Sequence, residues 1–246
     1  MIIDFDRIIN RFENRAPKHP IVRKVTKHFF KGPSRRLYVI TPYWNAKISD
    51  LAMRRLKKRI LEAGHSCLIY QFPFGILSDN VHRTDEYFKA IQKEARDDIR
   101  DVRKKYRFSE IVVIGMSLGC VNAAMIANKN RNVDRVILVV PGDSLAESLW
   151  RGIGTVRLRK QIKKHGIDLD ALEKDWKALA PMNNIEGLKG KEIEVHVSRA
   201  DEIIPYRNGY HLVKDMQKRG LRPRVFRNKD LGHYLTVSKF ILTEKF

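Results

Sequence analysis

The chain has 246 residues, 43% of them hydrophobic and 31% charged, with a formal net charge of +21 at neutral pH. That length suits one α/β domain with a substantial core, and the balance excludes a disordered polar chain. Two cysteines, Cys67 and Cys120, stand in no metal-ligand spacing and read as reduced core thiols, which excludes a disulfide scaffold.

The charge attracts polyanions, which points either to non-specific contact with anionic membrane or nucleic acid or to a basic bias shared by the whole proteome of the source organism. A dedicated nucleic-acid binder is not expected, because zinc-finger spacing, an aromatic ribonucleoprotein motif and a long basic tail are all lacking. The opening "MIIDFDRIINRFENR" carries acids within its apolar stretch, unlike a secretory leader. The longest uncharged run, residues 111–127, is short for a membrane span and holds Gly, Ser and Asn. A cytoplasmic location is the expectation.

In chain order, Ile2, Phe5, Ile8, Ile9 and Phe12 recur at helical spacing, so residues 2–14 are predicted as an amphipathic helix within an N-terminal helical extension over 1–31. Residues 20–30 are ambiguous between strand and helix, and "GPSR" at 32–35 is a turn. Then strands and helices alternate. Strands are predicted at 36–41, 66–72, 110–116 and 135–140, with helices at 47–63, 82–106 and about 118–128 between them. Residues 143–190 break the rhythm with two or three short helices. A strand at 192–198, a helix at 207–218, a strand at 222–228 and a helix at 234–244 follow. This order predicts a mostly parallel sheet of about six or more strands, wrapped by helices on both faces.

The apolar run "VVIGMSLGCVNAA" (112–124) places Gly115-Met116-Ser117-Leu118-Gly119 where a strand gives way to a helix. A serine on a sharp turn there lifts its hydroxyl above the sheet edge, and small residues two positions away make room for it. The helix that follows aims its N-terminal N–H groups at developing negative charge. A serine hydroxyl needs a base, and the base an orienting acid. Sites in doubly wound sheets gather at the carboxyl ends of strands. After the strand at 192–198 stand Asp201 and Glu202, and after the strand at 222–228 stands His233. Asp143, after the strand at 135–140, is an alternative acid or a helix cap.

Here the chain resembles the α/β-hydrolase family over roughly residues 36–246, through "GMSLG", "RADEIIP" and "LGH" in the order nucleophile, acid, histidine. The resemblance implies one hydrolase domain over 1–246 with a small helical cap at 143–190. It implies that Ser117 attacks a carbonyl, that His233 takes and returns the proton, and that Asp201 holds the imidazole. It implies Leu118 as one oxyanion donor and the loop after the first strand of the pattern as source of the other. Pro42 has no N–H, so Tyr43 is expected, with Trp44 next. "TPYWN" stands where the family often has glycines, which suggests either an aromatic wall or aromatic core packing.

The expected activity is hydrolysis of a small-molecule carboxylic ester or thioester through an acyl-enzyme, with no metal and no cofactor. The basic stretch "RGIGTVRLRKQIKKHG" (151–166) would favour an anionic substrate, or is a solvated helical face. A non-catalytic relative binding anionic lipid or nucleic acid, and an acyltransferase with the same triad, are the other readings.

Overall fold

The computed structural model describes residues 25–47, 49–72 and 75–246. The predicted helix at 2–14 lies outside the described residues. Seven strands form one sheet: β1 (Thr26–Phe30), β2 (Arg36–Thr41), β3 (Ser66–Gln71), β4 (Glu110–Met116), β5 (Arg135–Val139), β6 (Glu192–Ser198) and β7 (Arg224–Asn228). Their spatial order is β1-β3-β2-β4-β5-β6-β7. Every pairing is parallel except β1 with β3.

The helices are α1 (Leu51–Glu62), α2 (Val81–Tyr106), α3 (Gly119–Lys129), α4 (Leu145–Arg151), α5 (Val156–Lys164), α6 (Leu169–Asp175), α7 (Tyr206–Lys218) and α8 (His233–Thr243). The expected elements from 36 onward recur within a few residues of their anticipated bounds. The expected extension over 1–31 is corrected at its end, because Thr26–Phe30 form an edge strand on β3. Aromatic alternation explains it. Phe29 packs toward one core and against Tyr106 at 5.2 Å, while Phe30 packs toward the other core.

The pleat divides the apolar strand residues between two cores. Leu37, Val39, Ile111, Val113, Val136 and Leu138 face the side carrying α2, α3 and α7. Tyr38, Ile40, Val112, Ile114, Ile137 and Val139 face the side carrying α1 and α8. Strands buried on both faces run as near-continuous Val and Ile, which is what these central strands show.

Between β5 and β6 the chain makes three short α-helices and four 3₁₀ turns. Leu145, Leu149, Leu158, Ile162 and Leu172 join this insertion to the first core. Trp176 is fully buried, and its Nε1 donates to the Val81 carbonyl at 2.8 Å, fixing the insertion to the start of α2. Among the described residues, no helix is long and apolar enough to cross a membrane.

Candidate active site

β4 runs straight into α3 through a turn only two residues long. Ser117 adopts φ +53°, a left-handed conformation that costs a non-glycine residue free energy. Its N–H donates to the Val139 carbonyl at 2.8 Å, and its own carbonyl accepts from Cys120 N at 2.9 Å. The strand end is thus tied to the first turn of the helix, and the side chain stands at the sheet's carboxyl rim.

The flanking glycines are required by contact. A Cβ on Gly115 would meet the Ala123 Cβ at 2.6 Å and the Cys120 Cα at 2.7 Å. A Cβ on Gly119 would meet the Thr41 carbonyl oxygen at 1.9 Å and that of Pro42 at 2.5 Å. The Thr41 hydroxyl donates to the Gly119 carbonyl at 2.8 Å and to that of Ile114 at 3.2 Å, so the loop after β2 lies directly on the elbow.

Gly119→Ala is therefore expected to destabilise by about 2–3 kcal/mol despite the ~1 kcal/mol that alanine gains in a helix, since backbone must move. Urea unfolding midpoints measure this, and a midpoint at or above wild type would contradict it.

The structure brings Ser117, Asp201 and His233 together. His233 Nε2 lies 2.7 Å from Ser117 Oγ, and its Nδ1 lies 2.7 Å from Asp201 Oδ2. The other carboxylate oxygen, Oδ1, accepts from the N–H groups of Ile203 and Ile204 at 2.9 and 2.8 Å. Both oxygens of Asp201 are thus committed, so the loop after β6 fixes the carboxylate and the carboxylate fixes the ring. All three are buried, with exposures of 9% at Ser117, 2% at the central His233 and 7% at Asp201. Desolvation strengthens each of these contacts. His233 opens α8, with Gly232 as its cap and Tyr234 edge-on to the imidazole at 5.4 Å.

Asp143 does not reach this array. Its carboxylate accepts from Ser144 N at 2.8 Å and pairs with His211 Nδ1 at 3.5 Å. Burial raises its carboxyl above the ordinary value, while the Ser144 N–H pulls the other way. The cap of α4 is Ser144, whose hydroxyl oxygen accepts from Glu147 N.

A cavity of about 60 Å³ opens beside Ser117 and Leu118. Its walls are mainly apolar, with Leu77, Val121, Leu145, Leu149, Ile203 and Ile204 among them. The insertion between β5 and β6 thus closes one side and the Asp201 loop another. Trp44 lines this cavity, whereas the Tyr43 side chain packs toward the α1/α8 core. Larger clefts exist elsewhere, such as one of about 440 Å³ between β7 and α8, but they lack the serine and its base.

That second cleft adjoins the three-residue group Glu194, His196 and Glu244, whose ligand atoms lie within 4.8 Å of one another. Burial alone would raise the Glu194 carboxyl, but hydrogen bonds from His196, Arg224 and Arg135 outweigh it and hold it at about 2. Two guanidinium groups already occupy this carboxylate, which makes the cluster an ion-pair network hostile to a further cation. Both cysteines are free and buried. Burial pushes the Cys67 thiol up to about 12 and raises that of Cys120 as well, so neither is a nucleophile.

The segment expected as a cap, 143–190, does line this cavity, through Leu145, Leu149 and Thr155 among others. Sequence reasoning missed the seating of the β2 loop on Gly119, which had a legible signal, since glycine at the head of an otherwise apolar helix marks a close backbone approach.

Neither a protein-family model nor a curated protein sequence matches the chain. Solved structures do. An acetyl ester-xyloside bifunctional hydrolase from Caldicellulosiruptor lactoaceticus superposes with a TM-score of 0.64 at 17% identity, covering 94% of this chain and 87% of that one. Acetyl xylan esterase 1 from Thermoanaerobacterium sp. gives 0.63 at 13% identity, covering 94% and 88%. Est1E from Butyrivibrio proteoclasticus, with ferulic acid bound, gives 0.62 at 13% identity, covering 89% and 94%. The chain has the α/β-hydrolase fold.

Proposed function

We propose that this chain, an α/β-hydrolase by fold, is a serine hydrolase that cleaves short-chain carboxylic esters or thioesters through an acyl-enzyme. The carrying observation is the unbroken contact from Asp201 through His233 to Ser117 Oγ, each step 2.7 Å. In this reading His233 Nε2 accepts the Ser117 proton as Oγ attacks the carbonyl carbon, and it then protonates the leaving alcohol or thiol. Water repeats the cycle on the acyl-enzyme. Asp201 stabilises the imidazolium formed in both halves. The N-terminus of α3, with the Leu118 N–H at its head, faces the oxyanion. None of these steps calls on a metal or an organic cofactor.

The cavity supports the substrate class. At about 60 Å³ it holds roughly four to six water-sized atoms, taking 10–15 Å³ for each. Its lining includes no charged side chain, so the group it takes is small and uncharged. The cations of the stretch 151–166 contribute differently. Arg157, Lys160 and Lys164 on α5 are exposed, and Lys163 lies over the Trp150 ring at 5.2 Å. An anionic leaving group would feel them by long-range attraction, which salt screens.

A panel of aryl esters tests this. Acetyl to butyryl esters are expected to turn over at least about tenfold faster than octanoyl esters, as kcat/KM, because the apolar space beside Ser117 accommodates only a short acyl chain. Any preference for anionic leaving groups should fade on raising salt. Failure to turn over any ester or thioester by folded protein would overturn the proposal.

A further inference from the structure

The Lys and Arg residues are not spread evenly over this fold. The strands from β2 to β7 run parallel, so every loop leading into one of them lies at one end of the sheet and every loop leading out lies at the catalytic rim. The loops leading in, at 31–35, 63–65, 107–109, 130–134, 189–191 and 219–223, hold eight Lys or Arg and one acid, Asp134. The loops leading out, at 42–50, 72–80, 117–118, 140–144, 199–205 and 229–232, hold three Lys or Arg and six acids. A uniformly basic protein would not divide its charge in this way. Helix C-termini attract cations, but that explains only part of it. The loop 31–35 follows a strand and 189–191 follows a 3₁₀ turn, and these two carry four of the eight.

Side chains join these loops, neighbour to neighbour, into one surface. Arg35 Nε donates to the Arg107 carbonyl at 3.0 Å. Arg103 Nη1, in the last turn of α2, donates to the Asn132 carbonyl at 2.9 Å. Lys191 Nζ donates to the carbonyls of Asn130 and Val133 at 3.1 and 2.7 Å. Across β2, β4, β5, β6 and β7 the cations thus form a row roughly 20 Å long, one strand spacing per step. Between the loops before β5 and β6 the row sinks into a cleft of about 720 Å³, where Arg131, Lys189 and Lys191 stand with Asn128 and the acids Asp134 and Glu192. Asp134 Oδ2 is spent on the Ile111 N–H at 2.8 Å. Arg131 and Arg222 are exposed and make no ion pair among the described residues.

A straight row of fixed cations complements a straight row of fixed anions. We propose that this end of the sheet docks the phosphate backbone of a nucleic-acid duplex without reading its bases. The exposed large hydrophobics, Phe226 and Leu242 among them, lie in helices and in β7 and none in these loops, so this end offers no side chain for insertion into a bilayer. Phe108 is the one Phe, Tyr or Trp in the six loops and is buried, so a stacking platform for unpaired bases is lacking too. The row lies opposite the catalytic rim, and the inference stands apart from the serine-hydrolase reading.

The test is fluorescence anisotropy of a labelled DNA duplex of about two helical turns, titrated with the full chain. Binding is expected at low salt. Affinity should fall by about 10²-fold between about 50 and about 200 mM salt, as roughly four neutralised phosphates would give. The triple variant Arg131→Ala, Lys189→Ala, Arg222→Ala should bind at least about tenfold more weakly. The control Arg157→Ala, Lys160→Ala, Lys164→Ala removes the same charge from α5 and should stay within about threefold of wild type. A second duplex of unrelated sequence should bind like the first.

Equal weakening in the two triple variants, or no binding at about 50 mM salt, overturns the proposal. So does a preference beyond about tenfold between the two duplexes, which would mean that bases are read. Row-dependent capture by phosphatidylserine vesicles, with the duplex left unbound, overturns it in favour of a membrane. If the row variant fails to fold, single substitutions decide. Arg131→Ala should reduce the salt slope by about one, and Arg157→Ala should leave it unchanged. A slope unaltered by Arg131→Ala, or reduced as much by Arg157→Ala, overturns the proposal.

Discussion

Ser117→Ala should abolish fluorophosphonate labelling and lower ester turnover by about 10⁴–10⁶-fold, while the protein stays folded. The expectation follows from geometry. Ser117 Oγ lies 2.7 Å from a histidine nitrogen whose other nitrogen is held by a carboxylate, so removing Oγ removes the atom to be acylated. Stability should hardly change, because Ser117 makes its structural contacts through its backbone N–H and carbonyl. Alanine and serine pay similar strain at φ +53°. Ser117→Gly separates the two effects: it should be equally inactive yet more stable by about 0.5–1 kcal/mol, since glycine is at ease in that conformation. Labelling that persists in Ser117→Ala would place the reactive group elsewhere and sink the mechanism.

Asp201→Asn should cost about 10⁴-fold in kcat through the wrong histidine tautomer. The Ile203 and Ile204 N–H groups dictate which amide atom goes where. They demand an acceptor, so the asparagine oxygen takes the Oδ1 place and its NH₂ faces His233 Nδ1. That nitrogen must then accept, which moves the ring proton to Nε2. There it points at Ser117 Oγ, and the ring can no longer take the serine's proton. Asp143→Asn is the control. Asp143 is tied to Ser144 N and His211, so the change should leave turnover close to wild type. Comparing kcat for the two variants on the same ester decides between the acids. An inactive Asp143→Asn beside an active Asp201→Asn would reverse the assignment.

Much of the site was legible because the fold concentrates it at strand ends. "EIVVIGM" is apolar at every internal position, so it had to be a strand buried on both faces. The glycines around Ser117 marked where that strand meets a helix without room for side chains. Asp201 and His233 drew attention only as polar residues just past later strands. The edge strand Thr26–Phe30 was ambiguous for a physical reason. A short run with Phe29 and Phe30 adjacent fits either period, and only pairing with β3 selected the extended form.

By itself the sequence determined the alternation of strands and helices, the two-sided burial of the central strands and the identity of three residues at the sheet's rim. These are local properties, written in apolar periodicity and in glycines that permit a sharp turn. Tertiary structure alone decided that Asp201 and not Asp143 holds His233, and that the insertion and the Asp201 loop wall the cavity of about 60 Å³ beside Ser117. Each depends on how separate strand ends and loops pack against one another. Residues far apart in the chain come to share one small space only when the sheet has formed.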